Sequence, residues 1–369
     1  MKYLLKLINI FSLVAILLIA SSCKIGRFVY YNFANITDHK IFPARTASND
    51  SVKFTFNDPI KPKIPRLVTF GDKEYNFEEY LVKNKTVAFL IIKNDTLLCE
   101  KYYRGYNEAS VVNSFSMAKS VTSILIGCAI EDGFIQSVEE PVIKYIPELK
   151  GNGIEKLSIK NLLQMTSGFE YNESYINPFG DAATFYYGRN LPKALFNLEL
   201  KNAPGTLFSY SSGDSQMLGL VLDRALKGKK ITEYLQEKLW KPLGMEYDAT
   251  WSLDRKKDGL EKTFCCLNAR ARDFAKIGRL YLNKGNWNGK QIVKKEWVEV
   301  STTADTLEGG AHDYKYQWWL EKDGNYMAQG ILGQYIYVVP KKNMIIVRLG
   351  ENYGNANWES IMYSLSNLY

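Results

Sequence analysis

The segment TVAFLIIKNDTLLCEKYY, residues 86–103, gives the clearest indication of the fold of this chain of 369 residues. Its two apolar runs, Thr86 to Ile92 and Leu97 to Tyr103, flank a polar Lys-Asn-Asp-Thr turn, and this pattern predicts a β-hairpin. Similar strand signals return near the end of the chain, at 316–320, 326–329, 335–339 and 344–349. Because short turns join these strands, we expect an antiparallel sheet that is built from both chain ends.

The segment between the two groups of strands has helical periodicity. A helix is predicted to begin near Ser116, with an apolar face that continues to Ala129, and further helices are predicted at 159–165, 216–226, 231–239, 269–282 and 357–368. The sequence therefore predicts an α+β fold, in which helices flank the antiparallel sheet and a mostly helical subdomain is inserted in the middle of the chain.

The N-terminus has the pattern of a targeting segment. Lys2 and Lys6 precede an apolar run from Leu7 to Ala20, which is shorter than the roughly 20 residues that a spanning helix needs. The following Ser-Ser-Cys resembles a bacterial lipoprotein cleavage site. We expect residues 1–22 to be a signal peptide and Cys23 to be lipidated, so that the protein is exported and anchored in the bacterial cell envelope, at the periplasm or the cell surface. An uncleaved signal anchor is the alternative.

Two further segments complete the expected organisation. Residues 23–69 form an N-terminal extension, whose part from Lys24 to about Lys63 is expected to be irregular and to lie over the main body. Residues 70–369 form the main domain. With 46% hydrophobic and 23% charged residues, the composition excludes a disordered chain.

The counts of particular residue types exclude several functions. The chain has two histidines, His39 and His312, and no HExxH motif, which argues against most zinc hydrolases. The net charge is +8, but no basic run is interleaved with aromatics, so nucleic acid is not an expected partner. No metal or organic cofactor is expected, and the oligomeric state stays open.

The cysteines carry no metal-binding pattern. CxxC spacing is absent, and an oxidising compartment would permit disulfides. We nevertheless expect buried free thiols at four positions, Cys99, Cys128, Cys265 and Cys266.

Ser116-Met117-Ala118-Lys119 is the first candidate for chemistry. At positions i and i+3 of a helix, the serine hydroxyl and the lysine amine share a face. A serine becomes a good nucleophile when a neighbouring base takes its proton, and a buried lysine that is partly neutral can act as that base. The same spacing occurs at Ser21 and Lys24 in the leader, and the alternative interpretation of Ser116 is an ordinary helix-capping residue.

Ordered motifs over roughly residues 70–369 resemble the serine β-lactamase and penicillin-binding protein family, and especially its class C-like esterase and 6-aminohexanoate-dimer hydrolase branch. The nucleophile motif is Ser116 to Ser120, and the second motif is the Tyr210-Ser211-Ser212 loop. The other segments that carry the resemblance are Leu162–Gly168, Leu267–Ala269, Arg272–Gly278, Asn288–Val293 and Gly330–Gln334.

The resemblance implies a role for several residues. Ser116 would be the acylated nucleophile, Lys119 would help to deprotonate it, and Tyr210 would be a second general base that returns a proton to the leaving group. The backbone N–H groups of Ser116 and Ile331 would form the oxyanion hole. The expected substrate-binding residues are Ser212, Gln329, Gly330 and Trp318. Gly330 would let the substrate backbone pass close to a strand edge, and for Trp318 core packing is the alternative.

Two departures from the family pattern bear on the substrate. Ser212 stands where β-lactamases and transpeptidases usually have asparagine, and Ala328 stands where the third motif usually has lysine or histidine. A missing cation weakens recognition of the carboxylate in β-lactams and peptide C-termini. The resemblance therefore implies a serine hydrolase for small esters or linear amides. The alternatives are a penicillin-interacting enzyme, either a weak β-lactamase or a D-alanyl carboxypeptidase, and a receptor or binding protein without turnover.

Overall fold

The computed structural model describes residues 24–31, 33–61, 64–70 and 73–369, so the expected signal peptide and Cys23 lie outside the described residues. Its strands are β1 (Ala44–Ala47), β2 (Leu67–Phe70), β3 (Lys73–Asn76), β4 (Thr86–Lys93), β5 (Thr96–Tyr102), β6 (Val112–Asn113), β7 (Ala249–Ser252), β8 (Leu267–Ala269), β9 (Asn286–Trp287), β10 (Lys290–Gln291), β11 (Tyr314–Lys315), β12 (Trp318–Leu320), β13 (Tyr326–Gly330), β14 (Gln334–Val339) and β15 (Met344–Gly350). Its α-helices are α1 (Lys24–Tyr31), α2 (Phe77–Lys83), α3 (Met117–Glu131), α4 (Ile159–Leu163), α5 (Asp181–Tyr187), α6 (Leu191–Phe196), α7 (Ser212–Ala225), α8 (Ile231–Leu235), α9 (Ala271–Leu282), α10 (Lys295–Ser301) and α11 (Trp358–Asn367). Among the helices described, none is long and apolar enough to cross a membrane.

The main sheet has seven strands in the order β11-β12-β13-β14-β15-β4-β5, and every neighbouring pair is antiparallel. The C-terminal strand β15 pairs with the N-terminal strand β4, with Ile346 opposite Ile91. The predicted hairpin is β4–β5, and Asn94 and Asp95 at its turn have φ values of 50° and 57°, as a two-residue type I′ turn requires. The predicted assembly of the sheet from both chain ends is confirmed.

Helices cover both faces of this sheet. The side chains of α2 and α11 share a hydrophobic core with one face, and α3 and α9 pack on the other face. Because both faces are covered, all residues of β14 and β15 are buried. The helix α9 lies very close to the sheet, since a Cβ at Gly278 would stand 2.8 Å from a side-chain carbon of Ile336.

The inserted helical region is also as predicted. Between α3 and β7 the chain forms α4 to α8, and α3 lies in contact with both α7 and the strand β13. All residues of α3 from Met117 to Ala129 are buried. This helix therefore joins the sheet to the helical subdomain, and its first turn lies where the two meet.

The N-terminal extension is more regular than expected. It forms α1 and the strand β1, which is the edge of a second sheet with the order β1-β7-β8-β6. Phe28, Ile36 and Phe42 enter the same hydrophobic core as the main domain. The prediction of an irregular segment is therefore wrong. The sequence of β1, Ala-Arg-Thr-Ala, has too little apolar alternation to predict a strand. This segment is extended because it pairs with β7.

Candidate active site

Ser116 lies in the turn that leads into α3. Phe115 before it has a φ of 44°, in the left-handed region that a bulky residue rarely adopts. This conformation is held because the N–H of Phe115 donates to Oδ1 of Asn113 at 2.9 Å. The side chain of Ser116 makes no capping hydrogen bond to the helix. The structure therefore does not support an ordinary capping serine, and it leaves the hydroxyl available at the cleft.

Gly330 allows β13 to approach this turn. A Cβ at Gly330 would stand 2.4 Å from the carbonyl oxygen of Ser114 and 3.1 Å from the nitrogen of Ser116. Any larger residue would push the strand away from the turn. The expected reason for this glycine was the passage of a substrate backbone, but the contact with Ser114 already requires it. The approach also brings Ile331 to the wall of the cleft beside Ser116.

Lys119 lies one helical turn after Ser116 and is 1% exposed. Its Nζ donates to Oγ of Ser116 at 3.1 Å, to Oγ of Ser212 at 3.0 Å and to the carbonyl oxygen of Phe264 at 2.8 Å. Burial lowers the pKa of Lys119 to about 8, although the negative charge of Glu173 opposes the shift. A substantial fraction of the amine is therefore neutral near pH 8 and can accept a proton.

Tyr210 completes the predicted set at the other side of Ser116. Its ring stacks on Trp319 with the centroids 5.6 Å apart, and Nζ of Lys119 lies 5.3 Å from its centroid. Burial raises the pKa of Tyr210, the charge of Glu173 adds to this shift, and a hydrogen bond with Ser116 opposes it. The phenol is therefore protonated at neutral pH, and it can donate this proton to a neighbouring atom. The structure brings Ser116, Lys119 and Tyr210 together.

Glu173 belongs to the site but was missed in the sequence. Its carboxylate accepts the backbone N–H of Ser212 at 2.8 Å and the Oγ–H of Ser212 at 2.7 Å. The hydroxyl of Tyr175 also donates to it. A chain of hydrogen bonds therefore runs from Ser116 through Lys119 and Ser212 to Glu173. Glu173 lies in a loop without a recognisable motif, so only the tertiary structure identifies it.

Trp318 does not lie at the cleft, and the expectation of substrate binding there is wrong. It is fully buried and stacks on Tyr281 with the centroids 4.1 Å apart. Side chains alternate along a strand, so the next residue, Trp319, faces the opposite side and lines the cleft. Tyr316 and Gln317 just before β12 have φ values of 42° and 69°. This break in extended conformation sets the alternation, and the sequence does not reveal it.

The cysteine prediction is partly wrong. Cys99 and Cys128 are buried free thiols, as expected, but Cys265 and Cys266 form a disulfide between adjacent residues. Cys266 has a φ of 69°. The bridge follows Phe264, whose carbonyl accepts the hydrogen bond from Lys119. The disulfide therefore lies next to the residue whose carbonyl group holds Lys119.

Two cavities meet at Ser116. The first, called the enclosed cavity below, is the less open of the two, has a volume of about 40 Å³ and is lined mainly by apolar side chains. The second, called the open cavity, has a volume of about 300 Å³ and contains Tyr210, Gln329 and Gly330 in its wall. Three carboxylates also line the second cavity, from Asp313, Glu321 and Glu359, and none of the described lysines or arginines does. In the part of the chain that the structure describes, no group of three or more His, Cys, Asp or Glu side chains is placed to hold a metal ion.

Comparisons with known proteins agree with this fold, which is of the β-lactamase and transpeptidase-like class. The sequence model of the Beta-lactamase family matches residues 76–355. The chain belongs to the Beta-lactamase family. The names of its relatives point to a hydrolase.

Two relatives are similar in sequence, and a third protein is similar in fold alone. The 6-aminohexanoate-dimer hydrolase of Paenarthrobacter ureafaciens is 29% identical over 316 residues, which cover 79% of this chain and 80% of the relative. A Bacillus anthracis structure named for 6-aminohexanoate-dimer hydrolase is 28% identical, with a TM-score of 0.80 and 91% of each chain covered. A penicillin-binding protein from Bacillus halodurans has a TM-score of 0.63 at 17% identity, covers 79% of this chain and 99% of its own, and is similar in fold alone. The resemblance to the 6-aminohexanoate-dimer hydrolase branch is confirmed.

Proposed function

We propose that this protein is a serine hydrolase that forms an acyl-enzyme on Ser116 and cleaves small esters or linear amides. The observation that carries the proposal is the buried Lys119, whose Nζ lies 3.1 Å from Oγ of Ser116. Burial lowers the pKa of Lys119 to about 8. A neutral lysine at this distance is positioned to take the serine proton.

In the proposed reaction, neutral Lys119 accepts the proton of Ser116 while Oγ attacks the carbonyl carbon. The developing oxyanion is held by the backbone N–H groups of Ser116 and Ile331. Tyr210 then donates its hydroxyl proton to the leaving oxygen or nitrogen, and the protonated Lys119 returns a proton to the phenolate. The positive charge 5.3 Å from the ring centroid stabilises that phenolate. Water releases the acyl group by the same transfers in reverse order.

Three features of the site argue against β-lactams and peptide C-termini as substrates. The Oγ–H of Ser212 already donates to Glu173, so it cannot also donate to the carbonyl oxygen of a substrate amide. Ala328 is fully buried, and no lysine or arginine of the described residues lines the open cavity in its place. The carboxylates of the open cavity would repel a substrate carboxylate. These features favour neutral or cationic esters and amides over the penicillin-interacting alternative.

The test compares the purified protein with its Ser116→Ala variant on three substrates: a short-chain p-nitrophenyl ester, the 6-aminohexanoate dimer and a chromogenic cephalosporin. We expect turnover of the ester or the linear amide that falls at least about 10³-fold in the variant, with little cephalosporin cleavage. Efficient cephalosporin hydrolysis would favour the β-lactamase alternative. No turnover that depends on Ser116, together with stoichiometric acylation, would favour the binding protein.

We also propose that the protein is exported and anchored in the cell envelope through a lipid on Cys23. The basic residues, the apolar run and the Ser-Ser-Cys ending of the leader support this proposal. In cells grown with a labelled fatty acid, the label should enter the protein and should be lost in Cys23→Ser. An unlabelled protein that keeps its first 22 residues would instead support a signal anchor.

A further inference from the structure

The enclosed cavity reaches Ser116 from the side that Tyr210 does not occupy. Both cavities contain Ser116 and Ile331 in their walls, but Tyr210 contributes to the open cavity alone. A leaving group must lie within reach of the residue that protonates it. If Tyr210 donates this proton, the leaving group lies in the open cavity, and the acyl group of the substrate then extends into the enclosed one.

The wall of the enclosed cavity suits an aliphatic acyl group. Phe115 and Phe264 line it together with Ser116, and α5 contributes the small side chains of Ala182 and Ala183. Among the described residues, no charged side chain lines this cavity. A methylene chain would leave water on entering it, which is favourable by about 0.8 kcal/mol for each buried methylene. The cavity has a volume of about 40 Å³, so an unbranched chain fits better than a bulky ring.

The N-terminal extension supplies one side of this cavity. Phe28 of α1 and Ala34 line it, although both precede residue 76, where the match to the Beta-lactamase family begins. Phe28 is 8% exposed, and its ring meets that of Tyr187 edge to face at 5.7 Å between centroids. The extension therefore contributes part of the wall of the cavity that contains Ser116.

Buried polar contacts hold the extension and α5 together. The hydroxyl of Tyr186 donates to Oδ2 of Asp38 at 2.7 Å, and Nζ of Lys24 donates to Oγ1 of Thr184 at 2.6 Å. Nζ of Lys262 donates to the carbonyl oxygen of Tyr186 at 2.6 Å, near the end of α5. These contacts fix α5 against the extension, so the cavity has a defined depth.

We propose that the substrate carries an unbranched aliphatic acyl chain, which enters the enclosed cavity, and that the extension limits the length of chain that the protein accepts. This inference rests on the proposed acyl-enzyme function. The acyl group would then be an unbranched aliphatic chain, and Phe28 and Ala34 of the extension would determine the chain length that the protein accepts.

The experiment measures kcat/KM of the full chain for p-nitrophenyl esters from acetyl to dodecanoyl. We expect kcat/KM to rise about fourfold for each added methylene, as burial of one methylene predicts, and to fall once the chain exceeds the depth of the cavity. Phe28→Ala should move the preferred length to longer chains. Ala183→Leu fills part of the cavity, so it should lower kcat/KM for the longer chains at least tenfold more than for the acetyl ester.

Val29→Ala is the matched control, because Val29 lies next to Phe28 on α1 and is 68% exposed. It should leave the chain-length profile unchanged. Acetyl ester turnover shows that a variant is folded. If Ala183→Leu has no acetyl ester turnover, the chain-length dependence of Phe28→Ala provides the test. This inference would be overturned if kcat/KM did not depend on chain length. It would also be overturned if neither variant changed that dependence while acetyl ester turnover persisted. Either result would leave the proposed function unaffected. Turnover that persists in Ser116→Ala would instead refute the proposed function itself.

Discussion

Replacing Glu173 with glutamine is expected to shift hydrolysis to lower pH. The carboxylate of Glu173 stabilises the ammonium form of Lys119, so it raises the pKa of Lys119 against the larger effect of burial. Glu173→Gln removes this negative charge. The pKa of Lys119 should then fall below about 8, and the neutral amine that accepts the serine proton should be present at lower pH.

The size of the shift follows from the distance between the two charges. Hydrogen bonds of 3.0 Å and 2.7 Å through Oγ of Ser212 connect Nζ of Lys119 to Glu173, so the charges lie within about 6 Å. Coulomb's law gives about 0.7 kcal/mol at this distance in water and about 3 kcal/mol at an effective dielectric constant of 20. One pKa unit corresponds to about 1.4 kcal/mol. The midpoint of the rising limb should therefore move down by about 0.5 to 2 pH units.

The assay is the pH dependence of kcat/KM for a p-nitrophenyl ester, because this quantity reports ionisations of the free enzyme. Glu170→Gln is the matched control, since Glu170 lies in the same loop region but pairs with Lys201 at the surface. The control should leave the midpoint in place. An unchanged midpoint in Glu173→Gln, with activity retained, would refute the view that this carboxylate acts on Lys119.

The remaining predictions concern the base, the tryptophan pair and the disulfide. In the unaltered protein kcat/KM should rise with pH through about 8, since Lys119 must lose its proton, and Lys119→Arg should lower kcat/KM at least about 100-fold because arginine stays protonated. Trp318→Ala should lower the free energy of unfolding in urea by about 3–5 kcal/mol. Trp319→Ala should instead lower ester turnover up to about tenfold, because its stacking on Tyr210 is lost. Equal effects of the two changes would contradict the placement of Trp318 in the core and Trp319 at the cleft. Reduction of the Cys265–Cys266 bridge by a dithiol should lower kcat, because the freed turn carries the carbonyl that holds Lys119, and the double alanine variant should be insensitive to the dithiol.

Much of the fold was predictable because local signals agree with the final structure. The apolar runs around Asn94 and Asp95 have the composition of a hairpin, and the helix after Ser116 has a long apolar face. Ser116, Lys119 and Tyr210 were identified because their spacing and order match a known family, and the structure brings their side chains together. Their catalytic roles stay predictions.

The remaining features depend on tertiary contacts that no local pattern encodes. Glu173 lies in the site because its loop contacts the first turn of α7, where its carboxylate accepts the backbone N–H of Ser212. The faces of Trp318 and Trp319 depend on left-handed residues just before the strand, which a period of two does not predict. The strand β1 forms only because β7 offers it an edge. The apolar, strand-like surroundings of Cys265 and Cys266 favour free thiols, but the turn at Cys266 allows the two to join.

The central claim, a covalent acyl-enzyme on Ser116, is tested most directly by mass spectrometry. The protein is mixed with a p-nitrophenyl ester, quenched in acid within the first turnover and digested. We expect the mass of the peptide that contains Ser116 to increase by one acyl group. This increase should be absent in Ser116→Ala and should persist longer in Tyr210→Phe. Full ester turnover by the Ser116→Ala variant, or an acyl group found on a different residue, would contradict it.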